Sequence, residues 1–204
     1  MAEPSVKGLL VGGVVANLRR LEESGAVSED ALEARLGARA VELLREKIDP
    51  ATWYPIDTYR ELVDLLWELE GQRKPDYLRE KGRAWARKLY EAQRYQQLEY
   101  ADSHTRAIQS GDEAVRQGRL IASLIQSFWN FVEPRVDLDP ERPHTLRLTL
   151  EGPLASLFPE ANRFTTEGFL NHMVERSGGK HRATSERPSP ERIVFRLPLR
   201  LGKR

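Results

Sequence analysis

Thr145-Leu146-Arg147-Leu148-Thr149-Leu150 is the stretch on which the fold class turns. Apolar and polar residues alternate there with the period of a half-buried strand. Everything on the N-terminal side of Pro134, by contrast, carries its apolar residues at three- and four-residue spacings. Downstream the strand grammar persists. In the run Arg192 to Leu199, residues Ile193, Phe195, Leu197 and Leu199 share one face while Val194, Arg196 and Pro198 share the other. Lys180 to Glu186 reads as the strand before it, with Arg187-Pro188-Ser189-Pro190 as the turn. Phe164 to Arg176 reads as a short helix closed by Gly178-Gly179. Arg135 to Pro143, rich in proline and aspartate, reads as a connector. The expectation for 144–200 is a small antiparallel β-α-β-β sheet.

Upstream, 1–133 is predicted to form a bundle of five to six helices. Leu9, Leu10, Val14, Ala16, Leu18 and Leu21 define the first, which Gly25 stops. Ser28 caps a second, carrying Leu32, Leu36, Ala40, Leu43 and Leu44 as far as Lys47, with Glu29 and Asp30 at its positive end. A third runs from about Ile56 to Leu69. Pro75 opens a fourth that reaches Tyr100, and a central one with a broad apolar face spans Asp112 to Glu133. The whole chain, 1–204, is expected to be one α+β domain.

Ile48-Asp49-Pro50-Ala51-Thr52-Trp53-Tyr54-Pro55-Ile56 is the densest local signal. Two prolines five apart break a helix, and each pushes its predecessor out of the α region. Trp53 and Tyr54 are therefore expected in a loop. With Tyr59 and Trp129 they form the candidate site for a ligand or partner, because small-molecule pockets are apolar with a few polar tips. Trp67 and Trp85, at helical spacing, read as core. Gly8 and Gly12 read as a place where another backbone approaches closely.

Composition excludes more than it assigns. The chain has 204 residues and no cysteine, so iron–sulfur clusters, thiolate zinc sites, cysteine nucleophiles and disulfides are out. Four Trp, six Tyr and six Phe are too many for a disordered chain. No stretch is apolar long enough to span a bilayer, and Val6 to Ala16 lacks the flanks of a signal peptide, so a cytoplasmic protein is expected. The formal net charge of +1 hides an asymmetry: from Arg163 onward ten basic and four acidic residues give a net of +6, and the rest sums to −5. Arg182, Arg187, Arg192, Arg196 and Arg200 could present this excess on the last hairpin to nucleic acid or an acidic partner. No nucleic-acid motif accompanies them.

Catalytic constellations are missing as well. There is no Walker loop, dinucleotide fingerprint or nucleophile elbow. The histidines His104, His144, His172 and His181 show no paired metal-ligand spacing, although His172 and His181 with Glu167 and Glu175 are a conceivable cluster. The expectation is no catalysis, no metal and no cofactor.

Three stretches carry a resemblance: Val6-Lys7-Gly8-Leu9-Leu10, Trp53-Tyr54-Pro55-Ile56 followed by Tyr59-Arg60, and Tyr77-Leu78-Arg79-Glu80-Lys81-Gly82-Arg83. In their order and spacing they resemble a bacterial paralogous family of about this length. That family is similar in layout to the heme-NO-binding and vinyl-reductase-associated α+β ligand-binding domains and to TRAPP-type trafficking subunits. The resemblance implies a dimer-forming binding module with a pocket between helices and a small sheet, and no known reaction; the expectation is a non-enzymatic binding or signalling module. Its small hydrophobic ligand or protein partner would lie between the Trp53-Tyr54 loop, the helix through Trp129 and the sheet. The heme branch uses a helical proximal His and a Tyr-x-Ser-x-Arg clamp. His104, in Tyr100-Ala101-Asp102-Ser103-His104-Thr105-Arg106, has those residue types without that spacing. A binder of nucleic acid or an acidic partner is the alternative, and an enzyme or heme or metal sensor the second.

Overall fold

The computed structural model describes residues 3–91, 110–176 and 182–199. It divides into two compact units, Met1–Lys74 with Ser127–Phe131, and Pro75–Gln126 with Val132–Arg204.

The first unit opens on a two-stranded antiparallel ribbon, β1 (Ser5–Lys7) against β2 (Trp53–Pro55), with Val6 opposite Tyr54. The loop expected at Trp53-Tyr54 is thus a strand. Its extended backbone is what a residue before proline favours, and three residues are too few to show alternation. Helix α1 (Gly8–Glu23) follows β1 at once with no side-chain cap. Instead the N–H groups of Gly8 and Leu9 donate to the carbonyls of Thr52 and Pro50 at 2.8 and 3.1 Å, so the segment before β2 satisfies the open end of the helix. The close approach expected at Gly8 is present: a Cβ there would lie 2.0 Å from the Asp49 carbonyl oxygen.

Ser28 caps α2 (Glu29–Glu33) as expected, its Oγ accepting from the Ala31 N–H at 3.2 Å. The helix predicted to continue to Lys47 is interrupted before α3 (Ala38–Arg45). Glycine weakens a helix by about 1 kcal/mol relative to alanine, and at the break the Gly37 N–H donates to Glu61 Oε2 at 2.7 Å. The Arg19 guanidinium takes the carbonyls of Leu43, Leu44 and Glu46 at the end of α3. Helix α4 (Ile56–Leu69) buries Tyr59, Leu62, Val63, Leu66 and Trp67. On the free side of β1, Val6 bridges Trp129 and Ser5 donates to Asn130 Oδ1 at 2.7 Å.

The second unit holds α5 (Pro75–Glu91), most of α6 (Gly111–Phe128), β3 (Pro134–Leu138), β4 (Thr145–Glu151), α7 (Glu160–Arg176), β5 (Thr184–Ser189) and β6 (Arg192–Pro198). The strands form one antiparallel sheet in the order β3-β4-β6-β5. Leu146, Leu148 and Leu150 face Leu197, Phe195 and Ile193 across the centre, and all six are buried. The α+β class and the helix inserted into a C-terminal antiparallel sheet are as read from the sequence. The sheet has one more strand than expected. Pro134–Leu138, read as connector, is its edge, where a first-residue proline is tolerated and Val136 is the one buried side chain. Strand β5 runs on through Pro188 with an irregularity between Glu186 and Ser189, so the turn is shorter than expected. Helices α5 and α7 touch backbone to backbone. A Cβ on Gly82 would meet the Thr165 carbonyl oxygen, and one on Gly168 that of Arg79, each at 2.0 Å. The helix expected over 92–100, His104, Gly178, Gly179, His181 and Arg200 lie outside the described residues.

Candidate functional site

The four aromatic candidates separate into three environments. Tyr59 and Trp129 are buried and meet edge to face with ring centroids 5.7 Å apart. Tyr54 is buried too, and its hydroxyl oxygen accepts the Asp49 N–H at 3.0 Å. Trp53, its neighbour on the strand, points the other way and is 39% exposed. Lys7 lies over the Trp53 ring, its Nζ 4.1 Å from the centroid, and the same ammonium donates to the Ala51 carbonyl at 2.7 Å. Asp49 locks the turn beneath by accepting from the Ala51 N–H and the Thr52 hydroxyl, each at 2.9 Å. Those two bonds, the Ala51 N–H foremost, hold the Asp49 carboxyl below its ordinary value. An exposed aromatic is therefore presented on a ribbon whose every neighbour is fixed.

The basic candidates are largely taken up inside their unit. Arg187 donates to the carbonyls of Phe158, Pro190 and Ala155 at 2.6, 3.1 and 3.3 Å and pairs with Glu160 at 3.2 Å. Arg196 pairs with Asp139 and Glu186, each at 2.7 Å. Burial alone would push the Asp139 carboxyl up, but the Glu141 N–H and the Arg196 guanidinium outweigh it and hold the carboxyl low. Arg192 is half-buried and its Nε has no acceptor, while Arg182 is exposed ahead of β5. The acidic partners stand far off in sequence, so no local pattern announces them.

Between α5 and α7 runs a buried polar network that no motif suggested. Glu167 accepts from Arg79 Nε at 2.6 Å and from the Ser185 hydroxyl, and Arg163 donates to the Ser185 carbonyl at 2.9 Å. Burial lowers the Arg79 guanidinium, but its bonds to Glu167 and Asp76 more than restore it and leave it raised. Glu175 pairs with Arg83 at 2.9 Å. The acids of the conceivable metal cluster are thus bound to arginine, and His172 instead stacks tilted on Tyr90 with centroids 5.7 Å apart. Burial first, and then the charge of Arg176, lower the His172 imidazole from its ordinary value. Among the described residues no group of three His or acidic side chains is placed to hold a metal, and no helix is long and apolar enough to cross a membrane.

No protein-family model matches the sequence, and no curated relative does. Solved structures share its fold. An iron(II), unliganded H-NOX protein mutant from K. algicida aligns with a TM-score of 0.60 at 11% identity over 95% of this chain and 96% of that one. A mutant H-NOX of T. tengcongensis gives 0.56 at 14% identity over 95% and 97%. A third structure, described as modulating heme redox potential through protein-induced porphyrin distortion, gives 0.50 at 14% identity over 95% and 99%. The chain thus has an H-NOX-like α+β fold, and the layout expected from the heme-NO-binding branch is the layout found.

Of the described histidines only His172 lies in a helix, and His104, named above for the heme branch, lies outside the described residues. His172, in α7, has three guanidiniums within electrostatic reach. That setting opposes a metal ion at His172.

Proposed function

We propose that this protein is a non-enzymatic binding module on an H-NOX-like scaffold, recognising an apolar ligand or partner segment through Trp53. The exposure of Trp53 carries the reading: its strand neighbour Tyr54 is buried and hydrogen-bonded, whereas Trp53 is held in solvent by Lys7. Tryptophan on a rigid element is the side chain that most often dominates an interface, because it buries a large area with little loss of freedom. The same reading takes the protein as a sensor-like, homodimeric, cytoplasmic module. The basic-hairpin alternative draws less support, since Arg187 and Arg196 are bonded within their own unit.

Native mass spectrometry of the protein purified from its own host, beside the Trp53→Ala variant, tests this. The expected result is a dimer carrying a co-purifying mass that the variant loses, with the unfolding free energy changed by less than about 0.5 kcal/mol, as for a surface substitution. An unchanged complex in the variant removes Trp53 from recognition.

A further inference from the structure

The four-stranded sheet ends on β3 and β5, and the two outer edges are built differently. An edge strand leaves a row of unpaired N–H and C=O groups, which proteins blunt with proline, charge or bulges. Strand β5 is blunted: Pro188 stands inside it and its register breaks between Glu186 and Ser189. Strand β3 keeps an unbroken register with β4 over all five residues, and its one proline, Pro134, is the first of them. Beyond its end the Asp139 N–H donates to the Thr145 carbonyl at 2.8 Å. By the alternation of an antiparallel ladder, Arg135 and Asp137 also turn their backbone groups toward β4. Those of Val136 and Leu138, and the Pro134 carbonyl, therefore turn outward. Among the described residues no backbone group bonds them. Leu138 is 43% exposed at this edge. On the other face of the strand stand Arg135 and Asp137, both exposed. Asp137 comes no closer than 3.8 Å to Arg147 on β4, and Arg135 has no ion-pair partner among the described residues.

We propose that the β3 edge is a homodimer interface, where a second copy of this chain pairs antiparallel about a two-fold axis at Val136. The strand is complementary to itself in that register and in neither neighbouring one. With Val136 opposite the partner's Val136, the two exchange both backbone bonds, and each Leu138 N–H meets the carbonyl of the partner's Pro134. The missing proline N–H removes only the last bond on each side. Arg135 then stands opposite the partner's Asp137, and Asp137 opposite the partner's Arg135, at the close spacing of non-hydrogen-bonded pairs. Sliding by two residues is the smallest step that keeps the outward groups facing each other. It sets Arg135 against the partner's Arg135, or Asp137 against the partner's Asp137, where like charges repel. Leu138, exposed in the single chain, is covered by the partner's Pro134. The pairing joins two four-stranded sheets into one. It rests on the reading above for the homodimer alone and does not involve Trp53.

Sedimentation equilibrium of the full chain over a range of concentrations tests the interface, with two charge reversals at exposed positions, Arg135→Asp and Asp137→Arg. Each alone turns both reciprocal attractions into repulsions and is expected to weaken dimerisation by at least about tenfold. Mixed in equal amounts, the two variants are complementary again, because the two acids of one chain face the two arginines of the other. A heterodimer of native affinity is expected, and its formation also shows that both variants are folded. Trp53→Ala is expected to leave the dimer intact, and Arg135→Asp to leave a co-purifying mass in place, so this interface and the Trp53 reading fail separately. A native chain that is monomeric at every concentration, a dimer indifferent to both reversals, or variants that stay monomeric when mixed would each overturn the pairing.

Discussion

Gly13 and Gly82 both stand inside helices, yet replacing them with alanine has opposite consequences. Nothing lies within 4 Å of where a Gly13 Cβ would be. Gly13→Ala therefore gains only helix propensity and lost unfolded-state freedom, and is expected to raise stability by about 0.5–1 kcal/mol. At Gly82 the same gain meets a backbone carbonyl oxygen 2.0 Å away on a neighbouring helix, and backbone cannot swing aside as a side chain does. Overpacking of this kind costs about 3 kcal/mol or more, which outweighs the propensity term. Urea denaturation of the two variants reads both signs. In sequence the two glycines look alike, because what distinguishes them is a helix more than eighty residues downstream. Gly8 was legible, since its small-xxx-small spacing with Gly12 already implied a close backbone. The environments of Trp53 and Tyr54 were not: strand pairing with β1 sends adjacent side chains to opposite faces, and the pairing is invisible locally.

Helices announced themselves through caps and periodicity, short strands did not. Ser28 followed by two acids is a start signal read from local chemistry alone, and Ser28→Ala is expected to lower stability by about 1 kcal/mol in thermal unfolding. Strands β2 and β3 escaped because each has three to five residues, includes proline and shows no alternation. The last hairpin was legible as an element and misleading as a surface. Its arginines look like a basic stripe, but Arg187 joins the Pro153–Leu157 turn to the hairpin by three carbonyl bonds. Removing it leaves buried acceptors unpaired, so Arg187→Gln is expected to cost about 2 kcal/mol. Arg182→Gln, at an exposed position, is expected to stay within about 0.5 kcal/mol. Equal, negligible effects of the two in chemical denaturation would return Arg187 to the surface.

At the scale of the molecule the two units differ in how they answer acid. In the unit of Pro75–Gln126 and Val132–Arg204, Asp139 and Glu160 are held low, since their bonds to the Glu141 N–H, Arg196 and Arg163 outweigh burial. A depressed carboxyl contributes stability above the unfolded value of about 4, and that stability is lost as pH falls through the folded value. His172, also held low, adds a loss that begins as pH drops below about 6.5, where the unfolded chain takes the proton first. In the other unit the half-buried Asp64 has the opposite sign. Burial raises its carboxyl against the pull of Arg73 and Arg60, so stability increases as pH falls through its folded value. Asp49 and Glu68 in that unit are lowered, but they lie at the surface, where water screens such bonds. Acid should therefore loosen the unit containing Asp139 first. Trp85 reports on that unit, and Trp53, Trp67 and Trp129 report on the other. Subtracting the fluorescence of a Trp85→Phe variant from that of the native chain isolates the Trp85 signal, which is expected to change at a higher pH than the remainder. If the two signals move together, the charge differences are smaller than the cooperativity that joins the units, and the chain unfolds as the single domain its sequence suggests.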